Sequence, residues 1–270
     1  MRKGVLFFAF NNDTIDYVAL ASAAAKRVKR ILGPEIEVAI VTDSNRMIGY
    51  CDQVIQQERM PGSARTFRDA GRPVSDMFFN ANRLNAYALS PFDETIILDV
   101  DYIIQTRRLN NLWGQKSELM IGLDAVRVDG KPLPIQERRL SEVGPRMYWA
   151  TATYFKKCEL SRMFFDLVGH VSDNWDYYTT IYDLPSAIFR NDFAFSIAAH
   201  ILNGHGQANL VKPLPFKLVT ATERESIVSM EDGVSFVFSD STEPWKNQMI
   251  KIRTDVHCMN KYSLAEQVKR

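Results

Sequence analysis

The sequence predicts an α/β fold: a single domain on a mostly parallel central sheet with flanking helices and a more elaborate C-terminal half. Three observations predict it. Val5 to Phe10 is an unbroken apolar run stopped by Asn11-Asn12-Asp13, which reads as a strand buried on both faces rather than one alternating between core and solvent. A helix-forming stretch and a second apolar strand follow in β-α-β order, and such units impose right-handed crossovers onto a parallel sheet. A third run, Glu94 to Ile104, is the strongest strand in the chain and carries two aspartates.

Each element follows in order. Tyr17 to Leu32 is Ala-rich and ends in Lys26, Arg27, Lys29 and Arg30, cations that complement the negative end of a helix dipole. Gly33-Pro34 stops it, and Glu37 to Thr42 is the next strand, closed by Asp43-Ser44. Cys51 to Gln56 reads as a short strand and Glu58 to Arg72 as a polar loop with arginines at 59, 65, 68 and 72. Asp76 to Leu89 has apolar residues spaced for one helix face, ended by Ser90-Pro91. Beyond the strongest strand, Leu119 to Leu123 and Tyr148 to Phe155 read as strands, with a polar loop from Val128 to Pro145 between them. Glu159 to Asp173 and Asn191 to Asn203 have helical spacing, and Ser235 to Phe238 is a late strand. Lys251 to Lys261 fits no single pattern.

Composition sets the outer limits. With 46% hydrophobic and 24% charged residues over 270 positions, the chain can bury a sizeable core, which excludes whole-chain disorder. Lysine and arginine number 33 against 32 acids, a net charge of +1, too near neutral for a polyanion binder driven by bulk charge. The three cysteines, Cys51, Cys158 and Cys258, are scattered and odd in number, arguing against a disulfide framework or structural zinc and for a reducing compartment. The apolar N-terminal run is too short for a signal peptide, and no stretch is long enough for a membrane span. A soluble, cytoplasmic protein is expected.

The aspartates carry the first functional reading. Asp99 and Asp101 are separated by one residue, so in extended backbone they share a face. Two like charges in an apolar strand repel and lose hydration. A magnesium or manganese ion relieves both costs, and the carboxyl end of a parallel strand is where ligands bind in such sheets. The plainer reading is that both aspartates are solvated turn residues or helix caps.

The run from Phe79 to Trp113, with Arg83 ahead of the strand, Asp99-Val100-Asp101 at its end and Leu112-Trp113 after it, resembles the metal-binding core of GT-A glycosyltransferases, in particular the glycogenin-like retaining group (family 8-like). The first fifty residues also look similar to phage-encoded glycosyltransferases. The resemblance implies a Rossmann-like GT-A domain over 1–270, with a nucleotide- and metal-binding half at 1–113 and a sugar- and acceptor-binding half at 114–270. It implies that Asn11, Asn12, Tyr17 and Asp43 meet the nucleoside, that Arg83 meets the diphosphate, and that Asp124 lies near the sugar.

The same resemblance implies a late histidine as third metal ligand and a lysine on the diphosphate. Here these are His257 and Lys261, spaced more closely than is usual in the family. Two carboxylates and an imidazole suit Mn2+ or Mg2+, and a lysine offsets charge growing on a leaving diphosphate. A packed C-terminal histidine is the alternative, and His170, His200 and His205 read as caps or loop residues. Arg190-Asn191-Asp192-Phe193 resembles the family's carboxylate or amide pair at a helix start, giving Asp192 first and Asn191 second as the catalytic group on the sugar. Both residues would equally serve a helix N-terminus. The chain departs from the family at Trp149-Ala150-Thr151-Ala152, where an Asn-Ser-Gly-like turn is usual, and this leaves the sugar and the retaining stereochemistry open.

The function implied is metal-dependent transfer of a sugar from a nucleotide-diphosphate donor, a UDP-sugar, to a hydroxyl acceptor. A catalytically silent sugar-nucleotide-binding or scaffold domain, and a nucleotidyl- or phosphotransferase, remain open beside it. The acceptor is undetermined among glycan, protein, lipid head group and hydroxymethylated DNA base. Trp149, Trp175, Tyr177 and Tyr178 are candidates to stack on an acceptor ring, or to pack in the core.

Overall fold

A computed structural model of the chain describes residues 1–69, 72–186, 188–238 and 248–269. Its strands in the first half are β1 Lys3–Phe8, β2 Glu37–Thr42, β3 Gln53–Gln56, β4 Ser63–Asp69, β5 Arg72–Phe78, β6 Glu94–Leu98 and β7 Tyr102–Ile103. In the second half they are β8 Leu119–Gly122, β9 Ala125–Arg127, β10 Trp149–Lys156, β11 Lys212–Pro213, β12 Leu218–Ala221, β13 Glu225–Ser229, β14 Val234–Phe238, β15 Gln248–Ile252 and β16 Val256–Cys258. The α-helices are α1 Tyr17–Arg27, α2 Ala86–Leu89, α3 Glu159–Asp173, α4 Trp175–Ile181, α5 Asn191–Leu202 and α6 Lys261–Lys269.

The central sheet has seven strands in the order β11-β8-β10-β6-β1-β2-β3. The expected mostly parallel sheet is present: β1 pairs in parallel with β2 and β6, Leu6 lying between Ala39 and Ile97. Within it β10 runs antiparallel to both its neighbours, β6 and β8. Strands β1 and β6 are buried almost end to end, hence their unbroken apolar sequence. Asp16 starts α1 by accepting a 2.9 Å hydrogen bond from the Ala19 amide. The helix expected to reach Leu32 ends in a π-helical turn, Val28–Leu32, which Gly33 closes at φ 136°. On the other half, α3 and α5 cover the sheet through an edge-to-face cluster of Phe155, Phe164, Phe165 and Phe195, with ring centroids 5.1–5.9 Å apart.

Three expectations are corrected. The strand read as Glu94 to Ile104 ends at Leu98; Asp99 to Asp101 is a turn, closed by a 3.0 Å bond from the Tyr102 amide to the Asp99 carbonyl. The chain then enters a second sheet, ordered β7-β16-β12-β9. Glu58 to Arg72 is no simple loop, because β4 and β5 form an antiparallel hairpin; its sequence is too polar to carry the apolar alternation by which strands are read. Asp76 to Leu89 is not one helix: Asp76 and Met77 pair with Arg65 and Ala64 in the hairpin, and helix begins only with a 3-10 turn at Ala81–Asn85 before α2. The side chains of Arg65, Arg68 and Arg72 lie outside the described residues. A third sheet, β13-β14-β15, is antiparallel. Among the described residues no helix is long and apolar enough to cross a membrane, and all three cysteines are unpaired.

Candidate functional site

The strand order reverses at β1. Its neighbour β2 continues one way and β6 the other, so the loops leaving their carboxyl ends diverge and open a crevice, the position at which open α/β sheets bind ligands. Asp99 leaves β6 into that crevice. The turn brings Asp101 round beside it, and β16 pairs with β7, setting His257 opposite Tyr102. A 3.0 Å bond from the Cys258 amide to the Asp101 carbonyl fixes the register.

Asp99, Asp101 and His257 thus offer three ligand atoms all within 4.8 Å of one another. His257 Nε2 is 3.5 Å from Asp101 Oδ1 and 3.9 Å from Asp99 Oδ2. Its Nδ1 faces Thr220 Oγ1 at 3.3 Å, an outer contact that orients the ring and leaves Nε2 toward the carboxylates. Asp101 is 1% exposed, and the groups that reach its oxygens are cationic or imidazole nitrogens. A buried carboxylate is costly without a cation. Two hard oxygens and one imidazole are a donor set that fits Mn2+ or Mg2+.

Two protein cations attend the same carboxylates. Lys261, the first residue of α6, places Nζ 2.8 Å from Asp101 Oδ2. Arg83, 5% exposed, binds Asp99 through Nη2 and donates from Nη1 to the Ala150 carbonyl at 3.0 Å. Burial pushes Asp101 upward, but the charges of Lys261 and His257 prevail and hold it below the usual carboxylate range. Burial pulls His257 down, yet the Asp101 charge outweighs it and the imidazole stands above 6.5. Lys261 is likewise raised, attraction to Asp101 overcoming desolvation.

A bulge in β10 completes the constellation. Its register against β8 shifts between Trp149 and Thr153, which leaves backbone groups at Ala150 without a strand partner. The Ala150 carbonyl takes Arg83, and its amide donates to Asp192 Oδ1 at 2.9 Å. Arg190 pairs with Asp192 Oδ2 at 3.2 Å and reaches Glu137 at 3.4 Å. Burial lowers the Arg190 pKa, but the Asp192 and Glu137 charges carry it above its ordinary value. Asn191 and Asp192 open α5 without capping it: Arg190 holds the cap position, with no side-chain cap bond. Asn191 donates to the Asn80 carbonyl at 2.9 Å, while its buried Oδ1 has no partner.

Of the residues singled out from sequence, Tyr17, Arg83, Asp99, Asp101, Asn191, Asp192, His257 and Lys261 line one cavity of about 140 Å³. The Tyr17 hydroxyl is buried there without a partner. Asn11, Asn12, Asp43 and Asp124 do not line it. Asn11 accepts from the Val18 amide at 3.0 Å, and Asn12 accepts from Ile15 at 2.7 Å and donates to the Met77 carbonyl at 2.9 Å. Asp43 pairs with Arg59 at 2.6 Å; Arg59 also donates to the Asn11 carbonyl and lies 4.8 Å from the Phe79 ring on the cavity wall. Asp124 pairs with Arg146 in a separate cavity.

Sequence reading placed Arg59 only in an arginine cluster that could meet phosphates, and gave the Arg190 side chain and the Ala150 backbone no role of their own. Arg190 stands beside Asn191 and Asp192, and its place before an acidic helix start was the available signal. Trp149 is 2% exposed and packs edge-on to His257 at 6.1 Å, so it braces the imidazole rather than presenting a face to an acceptor. Trp175 packs on Phe189 at 5.0 Å and Tyr177 on Tyr178 at 5.3 Å. A larger cavity of about 330 Å³ adjoins the first, and Phe78, Arg190, Met259 and Lys261 line both.

No protein-family model and no curated protein matches the chain. Among solved structures it is similar to the galactosyltransferase LgtC in complex with donor and acceptor sugar analogs, at 16% identity and a TM-score of 0.47, over 83% of this chain and 75% of that one. It is also similar to the glycosyltransferase GlyE of Streptococcus pneumoniae, at 9% identity and a TM-score of 0.46 over 80% of this chain, which spans 45% of the GlyE chain. Mouse xyloside xylosyltransferase 1 is similar at 12% identity and a TM-score of 0.44, over 79% of this chain and 85% of that one.

Proposed function

We propose that this protein is a metal-dependent glycosyltransferase that moves a sugar from a nucleotide-diphosphate donor, a UDP-sugar, to a hydroxyl acceptor with retention. The observation that carries the reading is the convergence of Asp99, Asp101 and His257 with Arg83 and Lys261 in one crevice at the reversal of strand order. Asp99, Asp101 and His257 hold the Mn2+ or Mg2+, which when bound offsets the charge of the diphosphate. Lys261 and Arg83 turn from the carboxylates to the phosphate oxygens and donate to them as the bond to the sugar breaks. Tyr17 and the Arg59–Asp43 pair border the nucleoside end.

Asp192 and Asn191 address the sugar. The carboxylate stabilises positive charge at the anomeric carbon, and the unpaired Asn191 Oδ1 accepts from a sugar hydroxyl. The acceptor enters through the larger cavity. Its hydroxyl oxygen bonds to the anomeric carbon, the carbon–oxygen bond to the diphosphate breaks, and the acceptor's proton leaves on the departing diphosphate oxygen.

Calorimetry with UDP, GDP, ADP and CMP, each with manganese and with chelator, tests the reading. UDP is expected to bind only with metal and to lose that binding in Asp101→Asn. Metal-independent binding, or none to any nucleotide, would sink it. Turnover of a UDP-sugar with manganese then separates an enzyme from a silent binding domain.

A further inference from the structure

Asp124 opens onto a cavity of about 150 Å³ that is lined by Arg138, Arg139 and Arg146. Three arginines and one carboxylate along the lining leave an excess of positive charge beside a concave space. The backbone enforces it: Arg139 and Arg146 are partners in an isolated antiparallel bridge, and the Met147 amide bonds to the Arg138 carbonyl at 2.9 Å. Like charges placed opposite each other across such a bridge repel, and Asp124 answers only Arg146. Arg139 gives one donor to the Gly144 carbonyl at 2.7 Å. Arg138 is exposed, and no hydrogen bond or ion pair engages its side chain among the described residues.

We propose that this cavity binds a phosphomonoester. Guanidinium forks match tetrahedral oxyanions in charge and in donor geometry. A volume of about 150 Å³ has room for a compact tetrahedral group, a single water needing only about 10–15 Å³ of such space. That favours one terminal phosphate over a polymer backbone, which needs an extended basic track. The adjacent 3-10 turn, Ile135–Glu137, links the two spaces: Ile135 lines the arginine cavity, whereas Gln136 and Glu137 line the larger cavity beside the metal cluster. On the glycosyltransferase reading, on which this last step rests, the phosphate belongs to the acceptor, a phosphorylated sugar seated with its hydroxyl toward Asp192.

The test is an NMR titration of the arginine Nε–Hε signals with inorganic phosphate and with glucose 6-phosphate. Shifts of Arg138, Arg139 and Arg146 are expected, with affinity weakened at least tenfold in Arg138→Gln/Arg139→Gln. Arg138→Gln alone gives up no side-chain hydrogen bond or ion pair among the described residues, so it keeps the test decisive if the double variant folds poorly; it is expected to weaken binding severalfold. Shifts confined to Arg83 and Arg190, or none, would overturn the proposal. So would a short single-stranded oligonucleotide that binds these arginines more tightly than glucose 6-phosphate. Absence of UDP binding alongside a responsive arginine set would end the transferase reading and leave the anion site standing; the converse result would do the opposite.

Discussion

The central cavity and the arginine cavity handle charge in opposite ways. In the first, every carboxylate has its own cation: Asp99 has Arg83, Asp101 has Lys261 and Asp192 has Arg190. In the second, three arginines line the space beside Asp124, and only Arg146 is paired with it. A matched site favours a load that is itself balanced, such as a divalent cation arriving with a diphosphate. An unmatched one favours a lone anion. The difference teaches that the central carboxylates are already engaged by internal cations; on the proposed function, metal and nucleotide would have to displace those cations together.

The largest effect is expected from breaking the buried Asp101–Lys261 pair. Asp101→Asn strands a largely buried ammonium, at a cost of about 3 kcal/mol, and should lower the melting temperature while abolishing metal-dependent UDP binding. Asp101→Asn/Lys261→Met should recover most of the stability and none of the binding; thermal melts and calorimetry check both. A single variant as stable as the parent would mean that the pair is not the matched unit described. Next, Asp192→Asn should cut turnover by roughly 100-fold while UDP affinity changes little, a split visible in steady-state kinetics beside equilibrium binding.

Lys261→Met sharpens the comparison from the other side. Freed of its internal cation, Asp101 should bind manganese alone roughly tenfold more tightly, about 1.4 kcal/mol, while UDP affinity in the presence of metal falls. If manganese affinity drops instead, Lys261 supports the metal site rather than competing for it. A smaller effect concerns pH. The His257 pKa is raised above 6.5 by the Asp101 charge, against the pull of burial. The imidazolium therefore contributes stability that is fully present below 6.5 and lost as pH rises through the folded value. In chelator, the melting temperature should fall across that window and flatten in His257→Gln. Manganese affinity should rise over the same window, as the proton leaves the ligand. The smallest change is expected for Asp43→Asn, which removes a partly exposed pair with Arg59 and should alter UDP affinity by less than about 1 kcal/mol.

Strands β1, β2 and β6 were legible because burial on both faces writes an unbroken apolar run. The β4–β5 hairpin was not, since its polar sequence shows no apolar alternation. Asp99 and Asp101 were readable as a pair, but for a mistaken geometric reason. They converge through a turn between two sheets, not through the two-residue period of a strand. His257 lies in a three-residue strand, β16, whose place is set by pairing with β7, and such remote pairing leaves no local trace in Lys251 to Lys261. The bond from the Ala150 amide to Asp192 depends on how α5 settles against the bulge in β10, which sequence spacing does not encode.

The hydroxyls of Thr14 and Tyr262 meet at 3.0 Å although 248 residues separate them, and Tyr262 also reaches Asp76 at 3.2 Å in the base of the hairpin. Closing so long a loop is entropically slow to repay, so this junction and the neighbouring Lys261 should lock late in folding. Contacts that are absent from the folding transition state retard unfolding without hastening folding. On the proposed function, a metal bound by His257 and a nucleotide bound by Lys261 would then act as a timer on the native state, lengthening its lifetime while leaving its rate of formation unchanged.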